Sequence, residues 1–240
     1  MPLLQLNHVS KAYGALVVTD GLSLTLAKGE ALGIIGPNGA GKTTLFNLIA
    51  GNVQPDRGTV HFNGTDITRL TPSARCHLGI GRSYQVPHPF GGMTVFENVL
   101  VGATFGAGRS EREGTPLALD ALERTGLLAK ANRLAGALPL LDRKRLELAR
   151  ALATRPDLLL LDEIAGGLTE HEVAELIESI QDIRASGTSI IWIEHIVHAL
   201  LAVVDRLLVI NFGKLLLQGN PAEVMASPEV QEIYLGMAVE

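Results

Sequence analysis

The sequence predicts an α/β fold with a mostly parallel sheet, and three features of the chain support this prediction. Ala31–Ile35 is a short apolar run that leads through a glycine-rich loop into the helical spacing of residues 43–50. Further apolar runs of the buried-strand type, at residues 158–161 and 189–193, alternate with helical patterns. Ahead of all these, turn signals interrupt the β-like runs of residues 3–26, which indicates a small antiparallel sheet.

The first helix and the hairpin after it have clear local signals. The helical spacing of residues 43–50 stops at Gly51, a residue suited to a helix C-cap. Asn63 and Gly64 form a favoured two-residue turn, so residues 59–67 are predicted to be a hairpin. The hairpin is predicted to add an edge to the sheet.

The second half of the chain adds helices and one stretch rich in Gly, Ser and charge. Residues 117–128 and 146–152 have i, i+3, i+4 apolar spacing. Residues 102–115 read GATFGAGRSEREGT, and this composition predicts an internal boundary. A further hairpin is expected around residues 206–218, and the tail from Pro221 has a helical pattern.

The domain organisation follows from length and from the order of elements. The 240 residues suit one large domain, residues 1–240, since a single core can grow to roughly 250 residues. Within it we predict an antiparallel β-subdomain at about residues 1–30 and 55–70. A helical subdomain is predicted at about residues 90–155 and a C-terminal helical tail at residues 215–240.

The composition excludes several classes of protein. A hydrophobic fraction of 47% with 19% charged residues is typical of a folded chain and not of a disordered one. Twenty basic against 25 acidic residues give a net charge of −5, so no basic surface for nucleic acid or lipid is indicated. The single cysteine, Cys76, cannot form an internal disulfide, and no leader or membrane span is apparent. We therefore expect a cytosolic protein that can dock on a membrane-spanning partner.

Residues 36–44 read GPNGAGKTT and match the pattern G-x-x-x-x-G-K-[ST] between a strand and a helix. The glycines allow backbone N–H groups and the helix N-terminus to face phosphate oxygens. A lysine adds a positive charge, and a hydroxyl can ligate Mg²⁺. The sequence thus predicts a phosphate-binding loop made of Gly36, Pro37, Asn38, Gly39, Ala40, Gly41, Lys42, Thr43 and Thr44.

A second group of candidate residues follows the buried run of residues 158–161. Asp162 and Glu163 would lie at the carboxyl edge of the sheet, where open α/β sheets bind ligands. Asp162 can hold Mg²⁺ through water, and Glu163 can polarise a water that attacks the γ-phosphate. The alternative is a helix N-terminus that favours two acidic residues on electrostatic grounds.

Three single residues complete the candidates. His195 ends another apolar run and can donate a hydrogen bond to a γ-phosphate, although His198 competes for that role. Gln85 could reach the metal or the water, and Tyr13 could stack on an adenine. Each of them, taken alone, is more typical of an ordinary surface or core position than of a site residue.

Taken together, these residues resemble the ATP-binding subunits of ABC transporters from one end of the chain to the other. The matching positions are the A-loop aromatic Tyr13, Walker A at residues 36–44, the Q-loop Gln85, Walker B at Leu158–Asp162 with the catalytic Glu163, and the switch His195. The resemblance implies a P-loop NTPase core of the ABC ATPase type and ATP hydrolysis coupled to transport. It further implies ATP and Mg²⁺ as cofactors, with Thr43, Gln85 and Asp162 at the metal.

Two segments indicate a particular sub-family of these ATP-binding subunits. Residues 89–103 and 211–236 look most like the ATPases of branched-chain amino acid importers. This implies permease partners in the membrane, an indirect link to a periplasmic or extracellular solute-binding protein, no nucleic acid, and a place on the cytoplasmic face of the cell membrane. Alternatives are a regulatory nucleotide-binding module with little hydrolysis and an ABC ATPase of a non-transport machine.

One segment departs from the family pattern. The family signature LSGGQ, which contacts the nucleotide of a second subunit, is replaced by Leu138, Pro139, Leu140, Leu141 and Asp142. Proline removes a hydroxyl and an N–H, the second of the paired leucines puts a side chain where backbone should approach, and the aspartate is expected to face phosphate. We therefore predict a degenerate signature.

Two further expectations concern partners. The degenerate signature predicts a heterodimer with a different ABC ATPase chain, whereas a tolerant loop would permit a homodimer.

A second segment also departs from the family pattern. Residues 166–169 read GGLT, with Thr169 at a position where the family usually has an aspartate. The resemblance also implies that residues 86–96, including Phe90 and Phe96, receive a helix of the membrane subunit; alternatively these rings belong to the core.

Overall fold

The computed structural model describes the backbone of residues 1–235 and the side chains of residues 1–233. The strands are β1 (Leu4–Tyr13), β2 (Leu16–Leu26), β3 (Ala31–Ile35), β4 (Arg57–Phe62), β5 (Thr65–Asp66), β6 (Ile80–Arg82), β7 (Leu158–Asp162), β8 (Ser189–Ile193), β9 (Arg206–Asn211) and β10 (Lys214–Gly219). The α-helices are α1 (Lys42–Ala50), α2 (Pro72–His77), α3 (Val95–Val101), α4 (Glu111–Arg124), α5 (Leu140–Ala153), α6 (Glu170–Ala185), α7 (Val197–Leu201), α8 (Pro221–Ala226) and α9 (Pro228–Leu235).

The chain divides into two compact units. Unit 1 contains residues 1–71 together with the residues from Ile191 onward, and unit 2 contains Pro72–Ile190. The predicted subdomains are finer than these units and stay predictions. Of the predicted helical tail, residues 215–219 belong to β10, helices follow from Pro221, and residues 236–240 lie outside the described part.

Unit 1 contains a four-stranded antiparallel sheet in the order β2-β1-β4-β5. Leu4 is paired with Leu26 on one side and with Phe62 on the other, and all three side chains are buried. The hairpin predicted at residues 59–67 is confirmed. Its turn residues Asn63 and Gly64 both have positive φ, 48° and 76°, as a tight two-residue turn between twisted strands requires.

Unit 1 also contains the strand that leads into the candidate phosphate loop. β3 is buried along its whole length and pairs in parallel with β9, with Leu32 opposite Arg206. β9 forms an antiparallel hairpin with β10. Because both faces of β3 are covered, its residues form a continuous apolar run rather than an alternating one.

Unit 2 combines a parallel strand pair with several helices. β7 is fully buried and pairs with β6, with Ile80 opposite Leu158. The amphipathic helix α5 follows Pro139 and buries the apolar stripe that begins at Leu141. These elements place the end of β7 and the start of α5 in the same unit.

The internal boundary predicted at residues 102–115 is wrong, because this stretch is packed structure. Gly102–Gly106 forms a π-helical turn that continues α3, and a Cβ on Gly102 would lie 2.5 Å from the carbonyl oxygen of Arg150. Ser110 starts α4 with a capping box to Glu113. The glycines and polar residues therefore permit close packing and helix capping rather than a linker.

Within residues 1–235, no helix combines the length and apolar character that crossing a bilayer requires.

Candidate functional site

The loop between β3 and α1 has a backbone path that only glycine permits at two positions. A Cβ on Gly36 would lie 2.2 Å from the carbonyl oxygen of Ile210, and one on Gly41 would lie 2.4 Å from that of Val18. Gly41 also has a φ of 104°, in the left-handed region. The glycines of the motif thus satisfy packing constraints that arise inside unit 1.

Lys42 is held inside this loop although it carries a charge. Its side chain is buried, and Nζ donates hydrogen bonds to the carbonyl oxygens of Gly36, at 2.7 Å, and Pro37, at 3.1 Å. α1 begins at Lys42, so the first-turn N–H groups and the positive end of the helix dipole lie at the loop. Thr43 is exposed beside them. This arrangement can bind the phosphates of a nucleotide.

The hairpin turn between β9 and β10 braces the same loop. The N–H of Gly213 donates to the carbonyl oxygen of Ala40 at 3.0 Å, and its own carbonyl oxygen accepts from Asp20 at 2.9 Å. Phe212, at the tip, has a φ of 45° and is 85% exposed. The sequence analysis predicted the hairpin but not this contact, which has no local signal.

Two other candidates of unit 1 lie on exposed positions. Tyr13 ends β1 with nearly half of its surface exposed, and the Nζ atom of Lys11 lies 5.7 Å from the centre of its ring. His195 is exposed, and its N–H donates to the carboxylate of the buried Glu194 at 2.9 Å. Glu194 orders the turn after β8, and the sequence analysis missed this role.

The two acidic candidates of unit 2 follow β7 and have different surroundings. Asp162 is buried, and its Oδ2 accepts from Nη2 of Arg82 at 2.8 Å. Glu163 is half-buried and has a φ of 47°, which is uncommon for a residue with a side chain. Gln85 Nε2 donates to Glu163 Oε2, so the structure brings two predicted site residues into direct contact.

A buried lysine that the sequence analysis did not single out touches both of these residues. Lys144 Nζ donates to the carbonyl oxygens of Gln85, at 2.9 Å, and Glu163, at 3.2 Å. Lys144 lies on α5 and is only 4% exposed. Sequence reasoning had no signal for it, because the contacts join three segments that are distant along the chain.

The predicted degenerate signature forms the start of α5, and two expectations about it are wrong. Asp142 does not present a free negative charge, because it is 2% exposed and its Oδ2 lies 2.6 Å from Lys130 Nζ. Leu141 is turned into the core, and the exposed leucine is Leu140, at 43%. Pro139 is the N-cap and makes no side-chain capping bond.

The GGLT segment ends in a helix start. Thr169 is the N-cap of α6 and forms a capping box with Glu172. The backbone N–H and the hydroxyl of Thr169 hold the pKa of Glu172 below its usual value. Threonine therefore keeps the capping function that an aspartate would have at this position.

The segment after Gln85 contains exposed apolar side chains. Val86 and Phe90 are both exposed, whereas Phe96 is half-buried. The guanidinium of Arg150 lies 5.0 Å from the ring centre of Phe90. Across the described part of the chain, no group of three or more His, Cys, Asp or Glu side chains is placed to hold a metal ion.

A buried strand that leads through a glycine-rich loop into a helix, within an α/β fold, is typical of nucleotide-binding proteins of the P-loop class. The family pattern described as ABC transporter matches residues 19–166. The chain belongs to this family, as an ATPase subunit that binds ATP, and the predicted fold class and enzyme class are confirmed.

Individual relatives extend over nearly the whole chain. The high-affinity branched-chain amino acid transport ATP-binding protein LivG of Salmonella typhimurium is 37% identical over 252 residues, which cover 99% of each chain. The lipopolysaccharide export system ATP-binding protein LptB of Acidithiobacillus ferridurans is 37% identical and covers 98% of this chain and 97% of its own. A crystal structure of a nucleotide-free ATP-binding cassette from an ABC transporter has a TM-score of 0.90 at 33% identity and covers 99% of this chain and 100% of its own.

Proposed function

We propose that this chain is the ATP-hydrolysing subunit of an ABC importer for branched-chain amino acids or related small solutes. The observation that carries the proposal is the loop of residues 36–42, where buried Lys42 and the first turn of α1 form a phosphate site. The substrate class is supported by the similarity to LivG, which extends over 99% of both chains.

Each predicted site residue has a proposed role on the bound nucleotide. Residues 36–44 hold the phosphates, and Tyr13 stacks on the adenine from its exposed position. Glu163 accepts a proton from the attacking water, Gln85 orients the carboxylate of Glu163, and His195 donates to the γ-phosphate. The hydrogen bond between the side chains of Gln85 and Glu163 supports a joint role in activating the attacking water.

Mg²⁺ fits the proposed donor set. Thr43, Gln85 and Asp162 offer a hydroxyl, an amide and a carboxylate oxygen, which are the ligand types that Mg²⁺ prefers. The carboxylate of Asp162 is already buried and charge-balanced by Arg82, so it is held in one orientation. The bound ion would neutralise charge on the phosphates.

The partner subunit is proposed to be a different ABC ATPase. Pro139 supplies neither a hydroxyl nor an N–H at the start of α5, and the first residue of the helix, Leu140, exposes an apolar side chain. The segment of residues 138–142 therefore offers poor ligands to a nucleotide held by a second subunit. One competent site, completed by the intact signature of the partner, and one weak site follow from this asymmetry.

The transporter assembly follows from the family. We propose that the chain binds permease subunits at the cytoplasmic face of the cell membrane, through the exposed Val86 and Phe90, and acts indirectly with an extracytoplasmic solute-binding protein. No nucleic-acid partner is proposed, because the net charge is −5.

Uptake of radiolabelled leucine by cells that contain this chain tests the proposed substrate. Uptake is expected to disappear in a deletion strain and in a strain with Glu163→Gln, and to return with the wild-type chain. The match to LptB supports a second candidate, an ATPase of lipid export. Normal leucine uptake together with an envelope defect in the deletion strain would contradict the first proposal and favour the second.

A further inference from the structure

We infer that Lys144 is a positioning residue that holds Glu163 and Gln85 in their working geometry, an inference that rests on the proposed ATP hydrolysis. Lys144 Nζ binds the carbonyl oxygens of both residues, at 3.2 Å and 2.9 Å, while Gln85 Nε2 binds the carboxylate of Glu163. Lys144, Gln85 and Glu163 thus each form a hydrogen bond with the other two, all within unit 2.

The backbone of Glu163 has an uncommon conformation, and Lys144 forms a hydrogen bond with it. The φ of 47° at Glu163 costs free energy in any residue with a Cβ, so the conformation persists only where its surroundings fix it. The ammonium group of Lys144 binds the carbonyl oxygen of this strained residue from a buried position. Hydrogen bonds from a charged donor are stronger than neutral ones, particularly where water is excluded.

The rest of α5 fixes the other side of the cluster. Glu147 Oε1 accepts from the N–H of His88 at 3.0 Å, and Arg150 Nη1 donates to the carbonyl oxygen of His88 at 3.0 Å. Lys144, Glu147 and Arg150 recur every three residues and so share one face of the helix. This face holds the segment from Gln85 to His88, and only Lys144 also reaches Glu163.

The position of Lys144 links two features of the chain. It lies two residues after Asp142, at the end of the degenerate signature, so the same helix start that would meet a partner subunit also sets the backbone of Glu163. Movement of α5 would therefore be transmitted to the proposed catalytic carboxylate.

Two variants at this position and one control on the same helix test the inference. Lys144→Met removes the charged donor and keeps most of the volume, whereas Lys144→Arg keeps a charged donor. Arg145→Met is the matched control, since Arg145 is a neighbouring cation whose Nη2 binds Glu175 at 2.6 Å, away from the cluster. All are measured in the transporter complex purified through a tag on this chain.

The expected kinetic effects distinguish a positioning role of Lys144 from a general packing role. Lys144→Met should lower kcat for ATP about tenfold or more and change KM less than about twofold, because the phosphate loop is intact. Lys144→Arg should recover most of kcat, and Arg145→Met should resemble the wild type. Hydrogen exchange of the free chain should become faster at residues 85–88 and 163–166 in Lys144→Met alone.

Two results would overturn the inference: wild-type kcat and exchange in Lys144→Met, or equal losses in Lys144→Met and Arg145→Met. If the complex hydrolyses no ATP and Glu163→Gln changes nothing, the proposed function fails. The exchange comparison does not depend on turnover, so it still decides whether Lys144 holds the cluster.

Discussion

Two helix starts in this chain both lack a side-chain cap and differ in what they offer a ligand. α1 begins after Gly41, with a φ of 104°, and α5 begins after Pro139, with a φ of −66°; neither has a side-chain cap. At α1 the preceding loop is glycine-rich, and the helix begins with the buried Lys42. At α5 the first exposed group is the side chain of Leu140.

A helix N-terminus without a side-chain cap is not by itself enough to make a phosphate site. Both helices have the positive end of a dipole at the N-terminus, but of the two only α1 follows a glycine-rich loop of the kind that allows phosphate to approach closely. At α5, Asp142 is paired with Lys130 at 2.6 Å, and the guanidinium of Arg143 donates to the carbonyl oxygens of Leu138 and Gly136. The start of α1 therefore has the features of a phosphate site, whereas the charged side chains Asp142 and Arg143 at the start of α5 contact groups of the chain itself.

The largest expected effect concerns Glu163, the proposed catalytic carboxylate. Glu163→Gln should lower kcat of the purified complex by about 10²–10⁴ with ATP binding retained, because the amide cannot accept a proton. Steady-state hydrolysis and nucleotide titration measure the two quantities. Glu178→Gln, an exposed glutamate on α6, is the control and should leave both unchanged. Equal turnover in the two variants would remove Glu163 from the mechanism.

Restoring the second helix start should narrow the difference between the two sites. The triple variant P139S/L140G/L141G returns a hydroxyl and two glycines, and it keeps Asp142 in its ion pair with Lys130. Hydrolysis by the chain alone should rise to about tenfold or more above the Glu163→Gln blank, since one transition-state hydrogen-bond donor is worth at least that. Leu134→Gly, at another exposed leucine, controls for the loss of apolar surface. If the triple variant stays inactive while it folds and binds ATP, the signature segment is not the limiting feature.

A substitution in the loop before α1 tests how firmly packing fixes its backbone. Gly36→Ala should destabilise the chain by about 2 kcal/mol, because its Cβ would meet the carbonyl oxygen of Ile210 at 2.2 Å. Gly39→Ala is the matched variant; nothing lies within 4 Å of its Cβ, but its φ of 80° costs about 1 kcal/mol. Urea unfolding compares them, and an equal or reversed order would contradict the packing argument.

The smallest effect is expected at Thr169, the cap near the second site. Thr169→Ala should lower Tm by about 2–4 °C at neutral pH, because it removes the hydrogen bonds shared with Glu172. The pKa of Glu172 is lowered in the folded chain, so its contribution is present above the unfolded pKa and is lost as pH falls through the folded one. The difference in Tm should therefore shrink below about pH 4. A difference that is independent of pH would exclude the capping box as its cause.

The sequence predicted those features that depend on neighbouring residues along the chain. The loop of residues 36–44 and the end of β7 follow from an apolar run, glycines and a helical spacing, all within one local pattern. Arg82, Lys130 and Lys144 were missed, because each acts through a contact to a distant segment. A sequence does not show which charges are paired in the fold. Asp142 was therefore expected to face phosphate, although it is paired with Lys130.

The central claim is that the second helix start leaves this chain dependent on a partner. Mg²⁺-dependent ATP hydrolysis by the purified chain, measured over a range of protein concentrations with Glu163→Gln as the blank, tests it most directly. We expect retained ATP binding with no hydrolysis above the blank at any concentration. Specific activity that rises with protein concentration and disappears in the variant would show a working homodimer and contradict the claim.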